Sequence, residues 1–353
     1  MQNKTLKILI IRFSSLGDVL LTTPLIRLLR KKYPKAQIDF LVRKEYSQIV
    51  RYNPHLSKIL ELDVKEGFKG LKKFKDEIWH YKYHVILDLQ RNLRSGYLTF
   101  GKVINKLSHT DIFKVKKNQI IRFMLVKWKI NLYKKMYNRI IPVWEKYVRT
   151  AHKLEIFPDE GKLELFPSVH AQRQTDRFLK NLPAGDWHLV IAPGAKHITK
   201  RWPTDYFTDL ILQLYNSYKI KTLLIGGEQD NEVIEDILRG IPNDIAFSTA
   251  GKLTLLETAV IIKNAKLVIS NDSGLMHVAT AFNRPLIAIF GSTVEEFGFF
   301  PNDPNAITIE NKGLYCRPCS HIGRTTCPEK HFRCMKEIKP EKILDLIEKM
   351  RIF

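Results

Sequence analysis

Acidic side chains are scarce in this chain of 353 residues: 36 Asp and Glu stand against 58 Lys and Arg, a formal net charge of +22 at pH 7. Such an imbalance favours an anionic partner, whether nucleic acid, an acidic membrane surface or a phosphorylated substrate. Cysteine is scarcer still. Its four copies all fall between Cys316 and Cys334, which argues against a disulfide framework distributed through the fold. Long apolar runs are missing: Ile8 to Ile11 and Leu286 to Phe290 are far too short to span a bilayer. The opening residues also lack the apolar core and cleavage site of a signal peptide, so the expected location is the cytoplasm. No G-x-G-x-x-G follows the first apolar run, which counts against a dehydrogenase, and no nucleic-acid-binding module is recognisable. The length itself exceeds what one core usually holds, so two domains are expected.

What is present alternates between strand and helix. Lys7 to Arg12 is an apolar run bounded by charge, suited to a central parallel strand buried on both faces. It leads through Phe13-Ser-Ser-Leu-Gly-Asp18 into a helical pattern that ends in Arg30-Lys31-Lys32 before Pro34. Pro24 either kinks that helix or marks a start at Thr23. Strands at Gln37 to Val42, Lys58 to Leu62 and His84 to Gln90 follow, with a short helix at Tyr46 to Arg51. Alternation of this kind implies a right-handed parallel sheet whose ligands lie beyond the carboxyl ends of the strands, where Asp18, Asp88, Gln90 and Arg91 fall.

After a Pro- and Gly-punctuated stretch from Phe157 to Asp186 the pattern restarts. Trp187 to Ala192 reads as a buried strand, and Pro193 to Pro203 supplies a glycine and lysines before the next helix. That arrangement is similar to a phosphate site, without the spacing of a P-loop. Lys200 is the cation chosen there, although a lone lysine is more often a surface residue. Helix Tyr206 to Tyr218 then leads to Lys221-Thr-Leu-Leu-Ile-Gly-Gly-Glu228. Glu228 at that strand end suits a ribose diol, with a helix N-cap as the competing reading. Past Phe247 to Gly251 and the helix Leu255 to Lys263, Leu267 to Ala281 forms a strand, the polar turn Asn271-Asp-Ser-Gly274 and a helix start, and a further strand runs from Pro285 to Phe290. Free N–H groups and the helix dipole at that start form an anion site that Gly274 lets a phosphate approach. Taken alone, Asp272 or Ser273 as a simple cap and His277 as an ordinary helix histidine is the better reading.

Two stretches resist a single interpretation. From Lys102 to Arg149 the chain reads as helical, with Lys114, Lys116, Lys117, Arg122, Lys127, Lys129, Lys134, Lys135 and Arg139 interleaved with aromatics. A solvated face and a surface for anionic lipid headgroups or an anionic acceptor are balanced readings. The tail spacing Cys316-x2-Cys319-x7-Cys327-x6-Cys334 favours reduced cysteines in a packed loop. A structural zinc or a local disulfide is a lesser alternative. The helix Glu341 to Met350 closes the sequence.

Arg12-Phe-Ser-Ser-Leu-Gly-Asp18 with Thr22-Thr-Pro24, Pro193-Gly-Ala195 with Lys200-Arg-Trp-Pro203, and Asn271-Asp-Ser-Gly-Leu-Met-His277 together resemble the bacterial ADP-heptose:lipopolysaccharide heptosyltransferases of glycosyltransferase family 9. The form of the Lys200 motif and the cysteine tail is closer to the type II enzymes. The resemblance implies a GT-B architecture: two Rossmann-like, doubly wound α/β domains facing a central cleft. Residues 1–166 would form the acceptor-binding domain, 167–336 the nucleotide-sugar-binding domain, and 337–353 a helix packing back on the first. It implies inverting transfer of heptose from ADP-L-glycero-D-manno-heptose to the inner core of lipopolysaccharide, the second heptose in particular, on the cytoplasmic face of the inner membrane.

By the same resemblance Asp18 is the general base. Lys200 and the Ser273, Gly274 and Leu275 amides hold phosphates, Glu228 the ribose and Leu253 the adenine, with Asp272 and His277 near the sugar and diphosphate. Ser15, Gly17, Gln90, Arg91 and Arg94 are the candidates for holding a lipid-linked, anionic core oligosaccharide. With a lysine and helix amides at the phosphates and no carboxylate pair beside them, no essential metal or other cofactor is expected. Nucleic acid is not an expected partner. The rival readings are a transferase or epimerase acting on another nucleotide sugar and, more distantly, a non-catalytic nucleic-acid-binding protein.

Overall fold

The computed structural model describes residues 5–100, 110–185 and 187–353; Lys102 and its neighbours through 109 in the basic segment, and Asp186 at the expected boundary, lie outside the described residues. The chain divides into two compact units, Met1–Lys117 with Val143–Phe166, and Asn118–Pro142 with Pro167–Phe353.

The first unit is built on strands β1 (Lys7–Ile11), β2 (Gln37–Arg43), β3 (Lys58–Leu62), β4 (Val85–Asp88) and β5 (Asp111–Lys114). They lie in the order β3-β2-β1-β4-β5, and every pairing is parallel. Ile8 to Ile11 have no exposed surface, as expected for the middle strand of a sheet covered on both faces. The order of strands reverses between β1 and β4, where Ile11 pairs with Asp88, and that is where an open α/β sheet leaves a crevice for ligand.

Pro24 marks a start. A short helix Leu16–Leu20 ends before a second one, Thr23–Lys32, with the proline in its first turn, where the missing N–H is not needed. The side chains of Thr22 and Thr23 donate to the carbonyls of Val19 and Leu20 at 2.6 and 2.8 Å, satisfying the end of the first helix.

In the second unit β6 (Leu189–Ala192), β7 (Thr222–Leu224), β8 (Ala246–Ser248), β9 (Leu267–Asn271), β10 (Leu286–Phe290) and β11 (Ala306–Glu310) form a parallel sheet in the order β11-β10-β9-β6-β7-β8. All five residues of β9 are buried, and Ala192 of β6 pairs with Ser270 of β9, so the two strands end level at the point where the order reverses. Helices Thr204–Tyr218 and Pro340–Met350 cover one face, with Phe207, Leu210, Leu214, Ile343 and Ile347 in a common core with Ile191 and Ile269.

Three sequence expectations are corrected. The basic segment is not helical throughout: β5 occupies 111–114, ahead of helices Gln119–Trp128, Leu132–Tyr137 and Val143–Thr150. Residues 118–142 group with the second unit, where Ile121, Leu125 and Tyr133 pack with Phe297. The closing helix, expected to pack back on the first half, buries Ile343 and Ile347 in the core of the second. Its apolar stripe matches the open face of Thr204–Tyr218, and burial there satisfies it.

Candidate functional site

In the first unit the carboxyl ends of β1 and β4 are stitched together. Arg12 donates to the Leu89 carbonyl at 2.8 Å, and the Phe13 N–H donates to Oε1 of Gln90 at 3.0 Å. Asp88 is buried and accepts from the Gln90 and Arg91 N–H groups and from the Ser95 hydroxyl, so it organises the turn. Gln90 is half-buried, whereas Arg91 and Arg94 are exposed on that turn and on helix Leu93–Thr99.

Asp18 occupies the third position of helix Leu16–Leu20, and its side chain is 17% exposed. Its Oδ2 accepts from the N–H and hydroxyl of Ser15 at 3.3 and 3.1 Å, the reach-back of a capping box. Its Oδ1 accepts from Nη2 of Arg12 at 2.8 Å and from the Tyr147 hydroxyl at 3.0 Å. Gly17 is buried beside it. The Arg12 guanidinium lies 5.4 Å from the centre of the Tyr147 ring. Burial opposes the Arg12 charge, yet Asp18 and Tyr147 together lift its pKa above the ordinary value. Burial also pushes the Tyr147 phenol well above its ordinary 10, so it is a proton donor to the carboxylate at any working pH. A carboxylate has about four lone-pair sites, and four donors occupy them. The two long contacts from Ser15 are the ones an incoming hydroxyl can replace.

In the second unit the ends of β6 and β9 carry the other cluster. Asn271 bridges them: its Nδ2 donates to the Pro193 carbonyl at 2.7 Å and its Oδ1 accepts from the Trp202 N–H at 3.1 Å. Nζ of Lys200 lies 2.7 Å from Oδ2 of Asp272, with the side chains 15% and 9% exposed. The Thr293 hydroxyl donates to the same oxygen at 2.6 Å. Thr293 is positioned in turn by Arg317, whose Nη2 donates to the Thr293 carbonyl and to Glu310 at 2.7 Å each. Ser273, Gly274 and Leu275 are half-buried at the start of helix Gly274–Ala281, and Ser273 caps it in extended conformation without a side-chain cap bond. Its first amides are therefore not occupied by the cap side chain. His277 is buried one turn further along.

Glu228 and Leu253 lie at the ends of β7 and β8. Glu228 is exposed, and a Cβ added to Gly251 would sit 3.1 Å from its Cγ, so the two loops touch. The cap of the following turn is Gly227, with Asp230 reaching back to its N–H at 3.0 Å, which leaves the Glu228 carboxylate unused as a cap. Leu253 is half-buried two residues past Gly251.

The cysteines of the tail are unbridged. Burial, and then Cys327 and Glu329, raise the pKa of Cys316 above its ordinary value; burial pushes Cys334 up to about 12. Among the described residues no group of three or more His, Cys, Asp or Glu is placed to hold a metal ion.

Arg12, Tyr147, Thr293 and Arg317 were not singled out from the sequence. Arg12 had a local signal, since it opens the turn that ends in Asp18. Tyr147 had none, because it reaches Asp18 across 129 positions of chain.

Residues 71–331 match the sequence pattern of Glycosyltransferase family 9 (heptosyltransferase). The chain is 27% identical over 307 residues to lipooligosaccharide heptosyltransferase 2 of Haemophilus influenzae, covering 83% of this chain and 85% of that one. Among solved structures it is similar to a family 9 glycosyl transferase from Veillonella parvula, with a TM-score of 0.78, 20% identity and coverage of 99% and 98%. It is also similar to the Escherichia coli ADP-heptose LPS heptosyltransferase II, with a TM-score of 0.73, 20% identity and 98% coverage of each chain. These two structures share the paired parallel-sheet GT-B architecture. The motif match spans well over half of the sequence, and the chain therefore belongs to glycosyltransferase family 9, the heptosyltransferases, and is a glycosyltransferase.

Proposed function

We propose that the protein transfers heptose from ADP-L-glycero-D-manno-heptose to the inner core of lipopolysaccharide, adding the second heptose, with inversion at the anomeric carbon. The reading is carried by the Lys200–Asp272 pair at the ends of β6 and β9, beside the start of helix Gly274–Ala281, in a chain of this family.

The acceptor hydroxyl takes the place of the Ser15 contacts at Oδ2 of Asp18. As its oxygen bonds to the anomeric carbon, its proton passes to that carboxylate, and the bond to the diphosphate oxygen breaks. Arg12 and Tyr147 hold the other carboxylate oxygen in place. A positioned base of this kind is worth about 10²–10⁴-fold. One of the three N–H donors of Lys200 is engaged by Asp272, leaving the others for the departing diphosphate, whose remaining charge falls on the Gly274 and Leu275 amides. Glu228 takes the ribose diol and Leu253 the adenine. Lysine and amides supply the positive charge, so no resident cofactor is required. Ser15, Gly17, Gln90, Arg91 and Arg94 meet a lipid-linked, phosphorylated acceptor. The protein would work in the cytoplasm, peripherally on the inner membrane; no helix among the described residues is long and apolar enough to cross a membrane.

The test is a mass-spectrometric transfer assay with ADP-heptose and a panel of truncated lipopolysaccharide cores. One added heptose on the core that already carries one heptose is expected. Turnover with a UDP-sugar and none with ADP-heptose would replace this reading by another nucleotide-sugar transferase.

A further inference from the structure

Helix Gln119–Trp128 is apolar on two sides, and only one of them is used. Ile121 and Leu125 enter the small core with Tyr133 and Phe297. At helical spacing, Ile120, Phe123 and Lys127 project from a different stripe, and all three are exposed. Ile120 is 77% exposed, Phe123 55% and Trp128 58%. The Phe123 and Trp128 rings meet edge to face at 5.4 Å, so these residues form one contiguous apolar cluster facing water. The helix beneath them is anchored: Lys129, just past its end, donates to the carbonyls of Cys316 and Pro318 at 3.1 and 2.7 Å, and Asn131 donates to Glu296 at 2.6 Å.

Charge decides what covers the cluster. Residues 118–142 contain six Lys and Arg and not one Asp or Glu. Lys127, Lys135 and Arg139 are exposed in this stretch, and Met136 adds a further exposed apolar side chain. An aromatic and aliphatic cluster set among cations fits the boundary between headgroups and acyl chains, the rings at headgroup depth and the lysine stems reaching back to phosphates. Nucleic acid would pair with the cations and leave Ile120 and Met136 without a role.

We infer that the face made by Ile120, Phe123, Lys127 and Trp128 is a docking surface for a bilayer carrying anionic headgroups. The assignment accompanies the reading of a lipid-linked acceptor under Proposed function, but it is tested without turnover.

The experiment is co-sedimentation of the full-length protein with phosphatidylcholine vesicles, with and without phosphatidylglycerol. Binding is expected only to the anionic vesicles and is expected to weaken as salt is raised. A variant combining Ile120→Ser, Phe123→Ser and Trp128→Ser should bind at least about tenfold more weakly, and Lys127→Glu with Lys135→Glu, which reverses two charges near the surface, should do likewise. Because these side chains already face water, circular dichroism and thermal melting should match the parent. With brominated acyl chains, a quenched part of the tryptophan emission should vanish in Trp128→Phe while binding persists. Equal binding to neutral vesicles, undiminished binding of the triple serine variant, or retention of the quenched component in Trp128→Phe would overturn the inference. So would RNA oligonucleotide binding that needs these residues in the absence of vesicle binding. Transfer to a delipidated acceptor in solution is the separate readout: it should be unchanged in the triple variant, and its absence in the parent would count against the proposed activity and not against docking.

Discussion

Asp18 is held by four donors from three residues, and two of those residues lie on its own turn. That is why the cluster around the proposed base was legible: Arg12, Ser15 and Asp18 sit within seven positions, and a glycine-preceded turn after a buried strand announces itself. Tyr147 belongs to a segment whose basic and aromatic composition carried no information about its partner. Asp18→Asn keeps the shape and removes the proposed proton acceptor. It is expected to bind ADP-heptose normally and to lose transfer by about 10²–10⁴-fold in single-turnover kinetics. Tyr147→Phe removes one charge-assisted bond from the carboxylate. A loss of about tenfold in kcat with donor KM unchanged is expected, equivalent to roughly 1.4 kcal/mol of transition-state stabilisation; a matching rise in donor KM would mean that Tyr147 acts elsewhere. Lys200→Ala has a different signature, because it leaves the 9% exposed Asp272 without its cation. Weaker donor binding, by isothermal calorimetry, together with a lower melting temperature is expected, since truncating one member of a buried charge pair costs about 2–5 kcal/mol. Lys200→Arg should recover stability more fully than donor affinity, because a planar guanidinium does not present its donors as an ammonium does.

At the level of elements, strands with short, wholly apolar runs were the readable ones. β1, β9 and β10 are buried from end to end or nearly so, and nothing but a central parallel strand explains such runs. The edge strands β5 and β11 were missed for the same reason in reverse. Their residues are mostly half-exposed, and with only two large apolar residues each no continuous apolar run marks them. Turns were legible as turns but not in their purpose. Gly194 reads as part of a phosphate-like loop after β6 and Gly226-Gly227 as a tight turn after β7; in the structure Gly194 and Gly226 make room for Asp230, and Gly227 for Gln229. A Cβ at Gly194 would stand 2.2 Å from Oδ1 of Asp230, and that carboxylate accepts the Gly227 N–H. Burial raises the Asp230 pKa, so the side chain is already costly to hold and has little freedom to move aside. Gly194→Ala is therefore expected to destabilise the protein by about 1–3 kcal/mol in denaturant titrations. It should also weaken ADP binding, because the loops bearing Glu228 and Lys200 shift with Asp230.

Over the whole molecule the acid side of neutrality should be the vulnerable one. Burial lowers the pKa of His197 and His321 from the ordinary 6.5, with Lys200 and Lys196 adding to the effect at the first and Arg122 and Lys200 at the second. A group whose folded pKa is depressed binds fewer protons folded than unfolded. Stability is thus complete above the imidazole's ordinary value and is lost as pH falls below it toward the folded values. Thermal melts across that window should show the loss, and His321→Gln should flatten it; an unchanged slope would place the titrating groups elsewhere.

The segment Asn118–Pro142 precedes the last part of the first unit in sequence but shares a core with Phe297. A recombinant fragment beginning at Pro167 would therefore leave Ile121, Leu125 and Tyr133 behind and expose the apolar floor they cover. Swapping halves between relatives at that single seam should yield aggregating chimeras. Soluble ones should require three junctions, with the short excursion grafted alongside the half it belongs to.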